Sequence, residues 1–320
     1  MIEGSHSVGG SMMKGKTYII TAGCTYLDID AYACMAAMAE LLNLCGLNAV
    51  AYSTAECNYS IRKSLTEEGR ILRTLPDDFS LSRSKIIIVD VSDPGFLEKN
   101  IPLENVIAVY DHHVGFEKFW EDRIGNSSHI SFIGAAATLI FREWKNAGLQ
   151  YEMSKNTAQL LATAILDNTL NLTSANTTEE DKLVFSELCE RFQLDQQWCA
   201  EYFLEVQESI EADLQSAVLG DVKTVRNNEI LPSKLGQLAV WNGERILSYL
   251  PQIRSWFNER FDEWMINIID IQNNCCYFVC EDAKYKQKIE SLFNVHFDAS
   301  IARTTAMYLR KEIIQKTIRI

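Results

Sequence analysis

The chain has 320 residues, 47% of them apolar, and a formal net charge of −13. This length holds two domains and the apolar share is ordinary for a globular protein, while no run approaches the roughly 20 apolar residues of a membrane-spanning helix. The acidic balance argues against general nucleic-acid binding and against docking on an acidic membrane; it leaves room for a phosphate substrate, because metals or a few local cations can invert the field at a site.

The opening MIEGSHSVGGSM reads as an expression-vector remnant, which takes His6 out of consideration and puts the natural start at Met12 or Met13. Thr17–Ala22 is a first strand. The stretch GCTYLDID follows, and from Asp30 small and apolar residues continue for about four turns to Gly46, a natural helix stop. Asn48–Tyr52 is a second strand. Residues 60–76 read as a helix, with Pro76 at its end. Two short β-branched runs come next, Ile86–Val89 and Val106–Val109. Each ends abruptly in acids or histidines, the pattern of adjacent parallel strands buried on both faces. Helices are predicted over Ile133–Ala147, opening on small residues, over Thr157–Leu166, and from Thr178, where TEED makes a capping box. The βαβα alternation predicts an α/β fold with a doubly wound parallel sheet.

Leu194–Leu219 is acidic, helical in pattern and free of Gly and Pro, and reads as a connector. Beyond it GDVKTV, LGQLAVWNG and CCYFVCED read as strands, residues 251–263 and 284–292 as helices, and the tail Ile301–Lys316 as helical. The expected domains are therefore 14–194, a connector over 195–219, and a smaller mixed α/β unit over 220–320. Nine scattered cysteines with no CxxC pair and no signal peptide imply reduced thiols and a cytoplasmic protein, with Cys275, Cys276 and Cys280 as core residues.

The chemistry gathers at predicted element ends: Asp28, Asp30, Asp90, Asp111, His112, His113 and Asp167. Open α/β sheets bind ligands at the carboxyl ends of their strands. Carboxylates converging there repel unless cations sit between them. Hard oxygens with one or two imidazoles suit Mn, Mg, Co or Fe(II) better than a thiolate zinc site. A carboxylate shared by two ions gives a centre that activates water and clamps the attacking and leaving oxygens. Plainer roles compete with these. Asp28, Asp30 or Asp90 could cap a helix or turn, Asp167 could cap a turn through Asn168, and the histidine pair could close a strand end. His129 reads as a surface residue and His296 as structural. The GAAATL run allows close helix–sheet packing, although its helix N-terminus could face an anion.

VDVSD, YDHHVG and the DID after the first strand resemble the DHH phosphoesterases. FIGAAATL and ILDNTLNLTSANTTEEDK extend the match, while GDVKTV and YLRKEIIQKTI resemble motifs of the DHHA2 domain. The intervals Asp30–Asp90, Asp90–His112 and His112–Asp167 are closest to the manganese-dependent (family II) inorganic pyrophosphatases; the exopolyphosphatase/prune branch is also similar. The resemblance implies hydrolysis of pyrophosphate in a cleft between two domains, with manganese preferred over Co or Mg and two ions per site. It implies that Asp28 binds the first metal, that Asp90 bridges both and acts in catalysis, and that Asp30, His112 and Asp167 bind the second. His113 would contact the phosphate and support proton transfer. Lys223, Arg310 and Lys311 would hold the phosphates, unless they are solvated surface cations. Family members are often dimers, which allows a homodimer here.

Some positions depart from the pattern. Cys24 stands where the family has a metal-ligating histidine, Tyr26–Leu27 replace a residue-Pro pair, Asn168 replaces Thr or Ser, and Leu309 replaces the Ser of S-R-K. A thiolate favours softer metals. The alternatives are thus an exopolyphosphatase or nucleotide phosphodiesterase of the same superfamily, or a phosphate- or nucleotide-binding protein that has lost turnover at Cys24.

Overall fold

The computed structural model describes residues 16–318; the vector remnant with His6, and the start at Met12 or Met13, lie outside them. In chain order the elements are β1 (Thr17–Thr21), α1 (Ile29–Leu44), β2 (Asn48–Ala51), β3 (Lys85–Val89), β4 (Val106–Asp111), α2 (Glu117–Ile124), β5 (Ser128–Ile130), α3 (Ala136–Asn146), α4 (Lys155–Asn168) and α5 (Glu179–Phe192). Then follow α6 (Gln196–Ala212), α7 (Leu214–Gly220), β6 (Val222–Thr224), β7 (Lys234–Val240), α8 (Gly243–Leu247), α9 (Leu250–Asn258), β8 (Trp264–Asp270), β9 (Cys275–Cys280), α10 (Ala283–Phe293), β10 (Phe297–Asp298), β11 (Ile301–Arg303) and α11 (Arg310–Ile318).

The first five strands form a wholly parallel sheet in the order β2-β1-β3-β4-β5. Alternation within the strands divides its two cores. Ile20, Ile87, Val89 and Ala108 pack with α1, α3, α4 and α5. Ile86, Ile88 and Val109 turn to the other face, under the fully buried Trp120 of α2. This is the expected doubly wound α/β arrangement, and its order reverses between β1 and β3. The crevice at such a reversal is where ligands bind. A second sheet, β10-β11-β9-β8-β7-β6, is mixed: β7 and β8 are parallel and the other pairs antiparallel. It has a core of its own, to which α6 contributes Tyr202, Phe203, Val206 and Ile210. The predicted connector is helical and also packs as a wall of that core. No described helix is long and apolar enough to cross a membrane, and the described cysteines are all free, with Cys275, Cys276 and Cys280 buried in β9.

Several elements differ from the sequence reading. Residues 60–76 contain one 3-10 turn, Lys63–Leu65, rather than a helix. Leu72 instead pairs with the end of β2: its N–H donates to the Ala51 carbonyl (2.9 Å) and its carbonyl accepts from Ser53 N–H (3.1 Å). Gly69 at φ +78° turns the chain into that pairing. The tail opens as a strand, because Ile301–Arg303 pairs with β9, and helix begins only at Arg310. The central strand β8 (WMINIID), buried at every position, was not legible, since Asn267 breaks its apolar run and full burial leaves it no period. The three-residue β5 is too short to show one.

Candidate metal centre

The acid set is built at the crevice between β1 and β3. After β1 the chain turns through Cys24 and Tyr26, and Asp28 caps α1 by accepting from Ala31 N–H (3.0 Å). Two residues on, Asp30 is fully buried. Its Oδ2 accepts from Ala136 N–H (2.8 Å) and its Oδ1 from Ala137 N–H (2.9 Å). These are the first donors of α3, whose N-cap Ala135 offers no side-chain bond. The small residues of GAAATL thus let a helix N-terminus close on an anion, and that anion is Asp30. Gly134 is required here: a Cβ would lie 2.6 Å from both Asp181 Oδ2 and Thr169 Cγ2.

Asp90 is the first residue past β3 and has φ +56°, a left-handed conformation that Asp tolerates better than most side chains. Its N–H donates to the Tyr110 carbonyl (2.8 Å), which holds the turn against β4. The chain then leaves β4 through Asp111, His112 and His113. Asp111 Oδ1 accepts from His112 N–H (2.8 Å), His113 N–H (3.1 Å) and His113 Nδ1 (2.8 Å). Asp111 therefore shapes the turn and orients His113, although its carboxylate still lies within 4.8 Å of ligand atoms of Asp90, His112 and His113.

His112 carries the decisive geometry. Its Nδ1 is 3.3 Å from the Ile133 carbonyl. A carbonyl only accepts, so this bond puts a proton on Nδ1. In the neutral ring the lone pair is then at Nε2, 3.3 Å from Asp90 Oδ1 and 3.9 Å from Asp30 Oδ2. Asp90 Oδ1 is buried with no hydrogen-bond partner. An imidazole lone pair and two carboxylates facing one another call for a cation, and a histidine fixed through its other nitrogen is the usual form of a metal ligand. The donor set therefore fits a divalent ion with oxygen and imidazole ligands.

The electrostatics agree. Burial pushes Asp30 up, against the pull of His112. Burial, and after it the charges of Asp30 and Asp28, push Asp90 well above the usual carboxylate range. Asp167, in the last turn of α4, is raised to about 7 by burial, with Asp28 and Asp30 adding to the rise and a hydrogen bond from Tyr202 opposing it. These acids repel one another for want of positive charge. His113 is raised, chiefly by its bond to Asp111, and its side chain is 65% exposed at the mouth of the site.

The predicted cations are less uniform. Arg310 begins α11 and donates from Nη1 to the Asp221 carbonyl and from Nη2 to Asp221 Oδ1, both at 2.7 Å. Burial raises Tyr26 first; the charges of Asp28, Asp221 and Asp90 raise it further and Arg310 lowers it, so the second sheet's Asp221–Arg310 pair bears on the acid rim. Lys223 on β6 and Lys311 on α11 are exposed. Cys24 is exposed and free, and its N–H donates to the Phe96 carbonyl (2.8 Å). Away from the rim, His129 stacks on Tyr110 at 4.6 Å and His296 pairs with Glu290 at 3.0 Å.

Sequence reasoning passed over Tyr202, which bonds Asp167 (2.8 Å), and Asp221. The second had a signal: it is the acid of GDVKTV, two residues before the lysine that drew attention. A cavity of about 130 Å³ lies beside Asp28, Tyr59 and Asp167, with Phe203, Val206 and Trp241 on its far wall.

Known proteins match this chain in both sequence and fold. Residues 18–165 match the DHH family, N-terminal domain. An A-adding tRNA nucleotidyltransferase of Aquifex aeolicus is 34% identical over 132 residues, which are 40% of this chain and only 14% of that protein. A probable manganese-dependent inorganic pyrophosphatase of Bacillus velezensis is 24% identical over 306 residues, 89% of this chain and 92% of that protein. Among solved structures, the putative family II inorganic pyrophosphatase of Methanococcus jannaschii superposes with a TM-score of 0.60 at 19% identity, covering 94% of this chain and 98% of that one. At that identity the likeness is one of fold.

Proposed function

We propose that this chain, whose residues 18–165 match the DHH family, N-terminal domain, is a metal-dependent hydrolase of phosphoanhydride bonds that splits inorganic pyrophosphate into two phosphates. The observation that carries the reading is the His112 Nε2–Asp90 Oδ1–Asp30 Oδ2 constellation, three acceptor atoms facing one another at a sheet crevice. The probable manganese-dependent pyrophosphatase that matches along nearly the whole chain supports manganese as the metal.

Asp30, Asp90, His112 and Asp167 would hold one ion, and Asp28 with Asp90 a second, with Cys24 at hand for the latter. Bound there, divalent manganese supplies an activated water and neutralises phosphate charge. The remaining roles fall to this chain's own side chains. His113, oriented by Asp111 and open to solvent, holds a proton for the leaving phosphate. Arg310, with Lys223 and Lys311, sets positive charge against the side of the tetra-anion away from the acids. This division assigns residues 14–194 the metals and residues 220–320, DHHA2-like by resemblance, the phosphates.

One observation favours a second reading, a nucleotide phosphodiesterase of the same superfamily. Tyr26, Phe96, Val114 and Phe132 are all more than half exposed, on the loops that follow β1, β3, β4 and β5. An apolar collar at the mouth suits an organic group on the phosphate better than bare pyrophosphate.

The test is phosphate release from pyrophosphate by metal-stripped protein refilled with Mn, Co, Mg or Zn, beside a Cys24→His variant. Manganese-stimulated release by the natural sequence is expected. No release with any metal from either protein, together with turnover of nucleotide substrates, would replace the pyrophosphatase reading by the second. Arg310→Ala is expected to raise KM for pyrophosphate by about tenfold with a smaller change in kcat, since it removes a charged partner of bound phosphate. Steady-state kinetics at saturating manganese checks it, and an unchanged KM would remove Arg310 from the site.

A further inference from the structure

We infer that Tyr202 is a positioning residue for the metal: it fixes the Asp167 carboxylate and ties the metal-bearing loops to helix α6. The inference rests on the metal-dependent reading above. Tyr202 is fully buried. Its Oη lies 2.8 Å from Asp167 Oδ1 and 3.0 Å from the Ser60 carbonyl. Ser60 in turn braces the D-x-D turn. Its Oγ accepts from the N–H of Ile29, the residue between Asp28 and Asp30 (2.9 Å), and donates to Asn58 Oδ1 (2.6 Å). Asn58 N–H donates to the Leu27 carbonyl (2.8 Å).

One phenol therefore meets both the acid at the end of α4 and the loop that shapes the turn carrying the other two acids. A phenol has one proton, and both of its partners here are acceptors. An ionised Asp167 takes that proton most strongly, so a metal-ready carboxylate is the one Tyr202 holds best. On its other side the ring packs against Phe203 (5.1 Å), which stacks on Trp241 (5.6 Å, 8°) just past β7. The residue that aims the ligand is thus seated in the core of the second sheet. Removing the outer hydrogen-bond partner of a metal ligand costs about 10- to 100-fold in metal affinity.

Tyr202→Phe keeps the ring and its packing and removes only the hydroxyl. Binding of manganese(II) alone to the full chain, followed by the electron paramagnetic resonance of the free ion, is expected to show a dissociation constant at least about tenfold weaker than that of the natural sequence. The control is Glu205→Gln. It breaks the Arg62–Glu205 ion pair between the same loop and the same helix and leaves the phenol in place; it is expected to bind manganese like the natural sequence. Equal affinity in Tyr202→Phe and the natural sequence would overturn the inference. So would an equal loss in Glu205→Gln, because docking of the loop would then be the cause. If the natural sequence itself bound no manganese, the metal reading would fall and this inference with it.

Discussion

Asp90→Asn is expected to abolish metal-stimulated phosphate release, by about 10³-fold or more, while leaving the metal-free protein as stable as before or slightly more so. The two effects have one cause. Asp90 lies beside Asp30 and Asp28, and burial first, then their charges, pushes its carboxyl well above the usual range. Its Oδ1 faces His112 Nε2 with no hydrogen-bond partner. Asparagine keeps the size of the side chain and tolerates the left-handed backbone at φ +56°. It removes the charge that a cation needs and that the metal-free fold only has to contain. Alanine would confuse the result, since it also strains the backbone. Thermal melts of stripped protein alongside phosphate release check both arms. A stability loss in the stripped protein matching the activity loss would make Asp90 a structural acid.

Asp181→Ala is expected to destabilise the fold by about 3–5 kcal/mol. Asp181 is fully buried and accepts from Gly134 N–H (2.9 Å), Thr138 Oγ1 (2.6 Å), and the N–H (2.7 Å) and Oγ1 (2.6 Å) of Thr178. Alanine strands the Gly134 and Thr138 donors where water does not reach, and each stranded group costs about 1–3 kcal/mol before relaxation. The damage also reaches the metal site. Asp181 pins Gly134, and the neighbouring Ile133 carbonyl holds His112 Nδ1. Denaturant unfolding measures the loss, and a change below about 1 kcal/mol would show that Asp181 is no more than a helix cap.

The sequence showed part of this, for definable reasons. Asp90 and His112 were visible because β-branched runs end where they begin, and strand ends are where a parallel sheet places ligands. Asp181 was visible only as the acid of a capping box: Thr178 and Asp181 are three residues apart, whereas Gly134 and Thr138 reach the same carboxylate from another helix. Local capping follows from spacing, and a shared buried acid does not. Tyr202 was hidden for the same reason, since its role depends on how α6 docks against α4 and the Ser60 loop. The helix expected over 60–76 failed because Leu72 found a backbone partner in β2, and tertiary pairing outweighs a weak local pattern. Strand β8 was missed because Asn267 interrupts its apolar run and full burial leaves no alternation to read.

The order β2-β1-β3-β4-β5 also bears on when this chain can first hold an ion. Parallel neighbours cannot be joined by a tight hairpin, so each pairing waits for a long segment to close, and such sheets form slowly. The acids come from either side of those closures: Asp28 and Asp30 after β1, Asp90 after β3, His112 after β4 and Asp167 at the end of α4. During synthesis the first two emerge well before the last, and with β3 and β4 unpaired they are ordinary solvated carboxylates. Ion capture by these acids would therefore be a late step of folding rather than its nucleus.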